Sequence, residues 1–215
     1  MTTTKQAPVK ASPTPADDGA GGSEPSPHMG VGATPATKTD HIINNKSPDT
    51  QATDDHVFRQ PSRNDGHAIQ QLICQCPPLD QNSVYTYLLL SEHFTQTCVI
   101  AESAAGIDGF ISAYIHPQQP DTLFVWQVAV HERARGARLG KRMLQSLLQR
   151  PDLKASIRYI ETTVGPDNLA SRGMFASLAR GLDADTTEEA LFDAALFGPQ
   201  SHEDERLIRI GPFVP

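Results

Sequence analysis

The chain has 215 residues, with 18 Lys and Arg against 25 Asp and Glu, which gives a formal net charge of −7. Its basic residues cluster locally and do not cover one face, so nucleic acid is not expected as a partner. No apolar run approaches the roughly 20 residues that a membrane-spanning helix needs, so no membrane partner is expected either.

Residues 1–56 differ from the rest of the chain in composition. They contain no Phe, Trp or Tyr, no Arg, and seven of the 17 prolines. Such a stretch cannot bury enough apolar surface to offset the entropy of ordering it, so we predict a disordered tail. It has neither the apolar segment of a secretory signal nor the basic character of a transit peptide. Residues 57–215 are predicted to form one domain.

Apolar periodicity, caps and turn residues predict the elements of this domain. In chain order they are a strand at 57–59, helices at 62–74 and from the Ser83 cap to Phe94, a strand at 97–102, a turn at 106–109, strands at 110–116 and 122–130, a helix from Leu139 that ends before Pro151, a strand at 158–164, helices at 168–179 and 187–196, and a strand at 207–210 that closes the sheet.

The connections between these elements predict the topology of the sheet. Short connections make the first strands antiparallel, whereas the strands at 122–130 and 158–164 are joined through a helix and should be parallel with a right-handed crossover. The strand at 122–130 is apolar at almost every position, which predicts burial on both faces. The expected fold is α/β, a mixed sheet with antiparallel N-terminal strands and a central βαβ unit flanked by helices.

The segment 135–141, here called the phosphate loop, reads RGARLGK and follows this central strand. It opens onto a helix with one apolar face, formed by Leu139, Met143, Leu144, Leu147 and Leu148. Helix starts offer unpaired N–H groups and partial positive charge, which suits phosphate. Five cations, namely Arg133, Arg135, Arg138, Lys141 and Arg142, are expected to add charge around it. A surface turn with solvated arginines is the alternative interpretation.

The phosphate loop is neither a P-loop nor a GxGxxG turn. It resembles the R/Q-x-x-G-x-G/A loop with which GNAT N-acetyltransferases bind the pyrophosphate of acetyl-CoA, although Arg138 stands where that family has its middle glycine. The resemblance implies acetyl-CoA as co-substrate. The residues implied to contact it are Val128, Val130, Arg135, Gly136, Ala137, Arg138, Gly140, Lys141, Asn168 and Ser171.

Four further motifs carry a narrower resemblance over residues 57–215. They read PPLDQNSVYTYLLL, LFVWQVAV, ETTVGPDNLASRGMF and HEDERLIRIGPF. Together they are similar to the L-2,4-diaminobutyric acid acetyltransferases of ectoine biosynthesis. The resemblance implies acetyl transfer to the γ-amino group of L-2,4-diaminobutyrate, giving N4-acetyl-L-2,4-diaminobutyrate for synthesis of a compatible solute under osmotic stress. It also implies a cytoplasmic homodimer.

Five residues are implied to contact the diamine, namely Asp80, Tyr85, Trp126, His202 and Glu205. Glu205 is the predicted proton acceptor, with Tyr85 and Trp126 as the other catalytic residues and Glu161 as a rival base. The alternatives are a turn carboxylate at Asp80, a packing residue with a solvated hydroxyl at Tyr85, core packing for Trp126 and a solvated acidic loop at 202–205. For two further residues the alternatives are helix capping at Asn168 and a structural role for the strand residue Glu161. Strand alternation predicts that Trp126 shares a face with Phe124 and Val128.

Many GNAT enzymes have a tyrosine that acts as general acid for the leaving thiolate. It lies seven residues after the asparagine that corresponds to Asn168, where this chain has Phe175. Tyr85 or water must then protonate the leaving thiolate. The three cysteines (74, 76 and 98) lack CxxC spacing and the histidines are scattered, so neither a metal nor a disulfide is expected. Two other functions remain open: a GNAT enzyme for another small amine or a peptide N-terminus, and a non-catalytic acetyl-CoA-binding module.

Overall fold

The structure is a computed structural model that describes residues 56–198 and 204–214. The predicted tail lies outside the described residues except for His56, and so does His202. The strands are β1 (Val57–Arg59), β2 (Val99–Ser103), β3 (Gly106–His116), β4 (Gln119–Val130), β5 (Tyr159–Val164), β6 (Thr186–Phe192) and β7 (Glu205–Ile210). They form one seven-stranded sheet in the order β1-β2-β3-β4-β5-β7-β6.

Helices pack on both faces of this sheet. They are α1 (Gly66–Cys74), α2 (Val84–His93), α3 (Leu139–Leu148), α4 (Pro151–Ser156) and α5 (Leu169–Leu182). Helices α1 and α2 bury Ile69 and Tyr87 against the alternate strand residues Ile100 and Phe110. Helices α3 and α5 pack on the opposite face, within a larger cluster that includes Ile111. We call the two sides the α1/α2 face and the α3/α5 face.

The predicted apolar face of the helix after the phosphate loop is confirmed. Leu139, Met143, Leu144, Leu147 and Leu148 are all buried in the larger cluster. Their spacing places them on one side of the helix, so packing onto the sheet sets the direction of α3. The phosphate loop is thereby held between two packed elements, β4 and α3.

Strand β4 pairs with β3 along its length but with β5 only in part. The parallel pairing of β4 with β5 runs from Thr122 with Tyr159 to Val125 with Thr162. The antiparallel pairing with β3 continues to Val130, which lies opposite Gly109. A gap therefore opens between β4 and β5 beyond Val125, and the main chain of residues 127–130 borders it.

The predicted antiparallel strands and the parallel βαβ unit are confirmed, but the segment 187–196 is not a helix. It forms β6, which pairs antiparallel with β7 and occupies the edge of the sheet, followed by a short 3-10 turn at Ala194–Phe197. The run Glu-Glu-Ala-Leu favours a helix locally, but pairing with β7 overrides that weak preference. Strand β7 therefore lies between β5 and β6 and does not close the sheet.

Several smaller boundaries also differ from the prediction, and two of them have a direct physical reason. Gly106 already pairs with Ser103, so β3 starts there and the turn comprises residues 104 and 105. Gly106 has φ 107°, a conformation that costs glycine little. Pro151 follows the end of α3 as expected, but it also begins α4, where the missing N–H of proline is tolerated.

Candidate active site

A cavity of about 560 Å³ opens where β4, the phosphate loop and the start of α5 meet. Nine of the ten predicted cofactor residues line it, namely Val128, Val130, Arg135, Gly136, Arg138, Gly140, Lys141, Asn168 and Ser171. Ala137 is not among its lining residues. Residues 76–79, between α1 and α2, close its other side. Its volume is in the range typical of small-molecule sites.

The backbone of the phosphate loop turns twice into left-handed conformations before α3 begins. Gly136 has φ 84° and Arg138 has φ 55° and ψ 27°. Alternation of this kind directs successive N–H groups to one side and forms an anion-binding concavity. The first N–H groups of α3 add to it, because they have no partner within the helix. Arg138 thus adopts the conformation that favours the glycine of related loops.

We expect Arg138→Gly to stabilise the ligand-free protein. A left-handed residue with a side chain costs roughly 1–2 kcal/mol, and part of that gain is offset by the greater freedom of glycine in the unfolded chain. The expected increase is about 1 kcal/mol, or roughly 2–4 °C in Tm. Arg180→Gly, an exposed position inside α5, is the matched control and should lower Tm. An Arg138→Gly protein that melts at or below the wild type would contradict the assignment of strain.

Gly140 permits the close approach of three elements at this site. A Cβ atom built there would lie 2.6 Å from Sδ of Met174 and 3.3 Å from Cγ1 of Val128. Helix α3 therefore touches both α5 and β4 through the bare backbone of this residue. The glycine holds the phosphate loop against the end of β4, where the gap begins.

Of the five predicted cations, three line the cavity and two point elsewhere. Nε of Arg135 donates to the carbonyl oxygen of Val130 at 3.3 Å, and Nζ of Lys141 donates to the carbonyl oxygen of Ser177 at 2.7 Å. The guanidinium of Arg142 lies over the ring of Phe58, and that of Arg133 is bonded to Asp108. Arg133 and Arg142 do not line the cavity, because Asp108 of β3 and Phe58 of β1 hold their guanidinium groups elsewhere.

The start of α5 confirms the alternative, capping interpretation of Asn168 and still places this residue in the cavity. Oδ1 of Asn168 accepts from the N–H of Ser171 at 3.1 Å, which satisfies one of the free donors of the helix start. Both residues line the cavity. Phe175, in contrast, is buried in the core and has no protic group, so it cannot protonate a thiolate.

Cys76 is a cavity residue whose role the sequence did not suggest. Its Sγ lies 3.4 Å from the carbonyl oxygen of Val130, which also accepts from Arg135. Burial raises the pKa of the Cys76 thiol, although the charge of Arg135 opposes this, so the thiol is neutral at physiological pH. The only sequence signal for this wall of the cavity is the Cys-Pro-Pro-Leu break between two helices.

A β-bulge at Trp126 changes the direction of the side chains in the centre of β4. Ser112 pairs with Gln127 and Ala113 pairs with Val125, so Trp126 is the extra residue. Val128 packs in the α3/α5 cluster, but Trp126 lines a groove of about 650 Å³ on the α1/α2 face. The predicted common face for Trp126 and Val128 is wrong, because a bulge shifts the alternation by one residue.

The same bulge leaves Trp126 42 % exposed, so β4 is not buried on both faces along its whole length. Phe124 does share the α1/α2 face with Trp126, since it stacks on Tyr114, another residue of the groove. The indole is therefore accessible beside the gap between β4 and β5. The core-packing interpretation of Trp126 does not describe this exposed position.

Gln127 fixes the α1–α2 loop beside the bulge. Its buried side chain donates from Nε2 to the carbonyl oxygen of Asp80 at 2.9 Å, and its Oε1 accepts from Tyr87 at 3.4 Å. Asp80 is exposed, and Tyr85, in the first turn of α2, is 67 % exposed. Two predicted substrate residues thus belong to a segment that is fastened to the edge of the gap. A lone glutamine in an apolar strand was the signal for this contact.

Glu205 is the first residue of β7 and faces the same side of the sheet as Trp126. Arg206 pairs with Val164, and the even-numbered Ile208 packs in the α3/α5 cluster, so Glu205 points to the opposite face. Since Val125, Thr162 and Ile208 lie at one level of the sheet, Glu205 is just beyond the end of β5. Trp126 and Glu205 therefore border the gap from its two sides.

Glu161, the rival base, is committed to another contact. Its carboxylate is buried and accepts from Nη1 of Arg209, whose guanidinium lies 3.9 Å from the ring centroid of Tyr159. A buried carboxylate is tolerated where an opposite charge pairs with it, and Arg209 provides that charge. The contacts of Glu161 fit the structural interpretation.

No cluster of three or more His, Cys, Asp or Glu side chains within residues 56–198 and 204–214 has the arrangement of a metal site. None of the helices in the described part of the chain has the length and apolar character needed to cross a membrane.

Comparison with known proteins agrees with this site. Residues 66–179, more than half of the chain, match the model of the acetyltransferase (GNAT) family. The L-2,4-diaminobutyric acid acetyltransferase of Bordetella parapertussis is 59 % identical over 157 residues, which cover 73 % of this chain and 84 % of that one. The enzyme of the same name from Halomonas elongata is 44 % identical over 73 % of this chain and 81 % of its own.

Solved structures of acetyltransferases are also similar to this chain. The diaminobutyrate acetyltransferase of Paenibacillus lautus, in complex with its substrate L-2,4-diaminobutyric acid and coenzyme A, superposes with a TM-score of 0.71 at 42 % identity, covering 74 % of this chain and 96 % of its own. The NatC complex bound to Gag peptide and CoA is 15 % identical with a TM-score of 0.57, which shows the fold alone. The chain therefore belongs to the acetyltransferase (GNAT) family and, within it, to the L-2,4-diaminobutyric acid acetyltransferases.

Proposed function

We propose that this protein transfers the acetyl group of acetyl-CoA to the γ-amino group of L-2,4-diaminobutyrate. The observation that carries the proposal is the gap between β4 and β5. A phosphate-binding cavity reaches it from the α3/α5 face, and Trp126 and Glu205 border it on the other face. The relative from Paenibacillus lautus, which has this fold, was solved with the diamine and coenzyme A.

Each part of the site then has a distinct task. The phosphate loop and the start of α5 hold the pyrophosphate and pantetheine arm of acetyl-CoA, which supplies the acetyl group and a thiolate leaving group. Gln127 donates its main-chain N–H to Ser112 of β3, and N–H groups alternate in direction along a strand. A main-chain N–H of residues 128–130 that is directed away from β3 stabilises the negative charge that develops on the acetyl oxygen. Asp80, Tyr85, Trp126 and Glu205, with His202, hold the two ammonium groups and the carboxylate of the diamine.

The proton balance requires one acceptor and one donor. The γ-ammonium group has a pKa near that of lysine and must lose a proton before its nitrogen can attack the acetyl carbon. Glu205 accepts that proton, directly or through water. As the new C–N bond forms and the C–S bond breaks, the nitrogen loses a second proton and the thiolate gains one. Tyr85 or water mediates this second transfer, because Phe175 cannot.

A panel of amines tests the reaction. The protein is incubated with acetyl-CoA and diaminobutyrate, ornithine, lysine or a peptide, and release of free thiol is followed. Diaminobutyrate should react fastest, with the acetyl group on the γ-nitrogen by mass spectrometry. Preference for a peptide or another amine would indicate a different GNAT enzyme, and binding of acetyl-CoA without thiol release would indicate a non-catalytic module.

The assembly and location are also proposed. Exposed Leu88 and Leu89 on α2, together with the exposed edge strand β6, offer apolar and hydrogen-bonding surface to a second copy, in line with the homodimer expected from the resemblance. Light scattering should give about twice the 23.3 kDa of the chain. A monomer mass would contradict the dimer. The cytoplasm is the proposed location, since it supplies acetyl-CoA and keeps cysteines reduced.

We assign the acetyltransferase domain to residues 57–215 and no catalytic role to residues 1–56. Deleting residues 1–53 should leave kcat, both KM values and Tm nearly unchanged, because the tail has no aromatic residue and little apolar surface for docking. The measurement compares steady-state kinetics and melting of the truncated and full chains. A large loss in either would show that the tail packs on the domain or covers the site.

A further inference from the structure

Asp108 carries a buried carboxylate that the reaction described above does not use. It lies on β3, one residue before Gly109, and only 3 % of it is exposed. A buried charge costs free energy unless it is paired and hydrogen-bonded. The partners of this carboxylate therefore indicate what it is for.

Two of its contacts reach the segment 131–134, which leads into the phosphate loop. Oδ1 of Asp108 accepts from Nε of Arg133 at 2.5 Å, and its Oδ2 lies 3.1 Å from Nε2 of His56. The carbonyl oxygen of Asp108 accepts from the N–H of His131 at 2.8 Å. Residue 108 thus binds the segment 131–134 through its main chain and its side chain.

Arg133 adds two more contacts around the same position. Its own N–H donates to Nδ1 of His131 at 3.2 Å, and its Nη2 donates to the carbonyl oxygen of Ala105 at 3.3 Å. Glu132–Ala134 forms a 3-10 turn whose next residue is Arg135, the first residue of the phosphate loop. The guanidinium is consequently a bridge between the β2–β3 turn and the start of that loop.

The hydrogen bonds around Asp108 offset the cost of burying its carboxylate. Burial by itself raises the pKa of the carboxyl group, but hydrogen bonds from Ser103 and Arg133 and the charge of Arg133 outweigh it and hold the pKa below its usual value. Charge-assisted hydrogen bonds of this kind fix both distance and direction. The segment before the phosphate loop is therefore held against β3 at one defined place.

We propose that Asp108 is a positioning residue for acetyl-CoA, which acts through Arg133 to hold the phosphate loop against β3. The inference rests on the proposed role of that loop in binding acetyl-CoA. Arg133 serves here as part of the scaffold and does not bind phosphate itself. Loss of either partner loosens the loop, so a smaller fraction of the molecules holds its N–H groups in the arrangement that binds CoA. The apparent affinity for CoA falls in proportion to that fraction.

The test measures CoA affinity by calorimetry in the full chain, with Arg133→Gln and Asp108→Asn. Each should raise the Kd for CoA at least about fivefold, while the KM for diaminobutyrate stays within about twofold. The Kd of the double variant should not exceed the higher of the two single-variant Kd values, because the two residues act through one contact. Additive losses, or unchanged Kd values, would overturn the proposal. If Asp108→Asn does not fold, Arg133→Gln alone decides, since its side chain is 41 % exposed.

Two controls separate this role from others. Glu161→Gln breaks another buried carboxylate–arginine pair, away from the phosphate loop, and should leave the Kd for CoA unchanged. The salt dependence of Kd should be the same for Arg133→Gln and wild type, because a scaffold arginine releases no counterions on binding. A shallower salt dependence would mean a direct phosphate contact and would overturn the inference. A wild-type protein that does not bind CoA would instead refute the proposed function.

Discussion

Glu205→Gln should lower kcat/KM for L-2,4-diaminobutyrate at least about tenfold, or roughly 1.4 kcal/mol of transition-state stabilisation. Glutamine keeps the shape of the side chain but removes the charge and the basic oxygen that takes the proton from the γ-ammonium group. The defect should shrink as the pH rises, because more of the amine is then neutral without help. Steady-state kinetics between pH 7 and about 10 measures both effects.

The matched control for this variant is Glu189→Gln. Glu189 of β6 pairs with Leu207 of β7, so it lies on the same sheet face as Glu205. Its side chain is exposed. Its replacement should leave kcat/KM within about twofold, as is usual for an exposed surface charge. Full activity of Glu205→Gln, or equal losses in both variants, would exclude Glu205 as the proton acceptor.

Arg135→Ala combined with Lys141→Ala should raise the KM for acetyl-CoA at least about tenfold and change that for the diamine far less. Both cations line the cavity, and each charge-assisted hydrogen bond to phosphate contributes about 1.5–3 kcal/mol. Their loss should also flatten the dependence of acetyl-CoA binding on salt concentration. Two-substrate kinetics at several ionic strengths provides the measurement.

Lys141 needs a separate single variant, because its Nζ also donates to Ser177 and links α3 to α5. A fall in Tm limited to Lys141→Ala would report that link, whereas the change in KM should appear in Arg135→Ala as well. Arg180→Ala removes an exposed arginine from the same α5 helix and serves as the charge control. Equal rises in both KM values would contradict the assignment of the loop to the cofactor.

Local patterns determined the parts of this protein that depend on neighbouring residues in the chain. The apolar face of α3, the cap at Asn168 and the parallel order of β4 and β5 all follow from spacing within a few turns or from one helical connection. The phosphate loop belongs to the same class, because its glycines and the helix start that follows lie within a single short segment. The diamine substrate was predicted only from the resemblance of separated motifs, since no local pattern brings Asp80, Trp126 and Glu205 together.

Tertiary structure alone decided the features that depend on partners distant in sequence. The bulge that turns Trp126 away from Val128 arises from pairing with β3, and β6 is a strand only because β7 lies beside it. Arg133 was predicted to add charge at the phosphate loop because it is near the loop in the chain, but its guanidinium is bonded to the buried Asp108 of β3. Propensity and periodicity describe one segment at a time, whereas register, burial and the direction of a long cationic side chain depend on which segments meet.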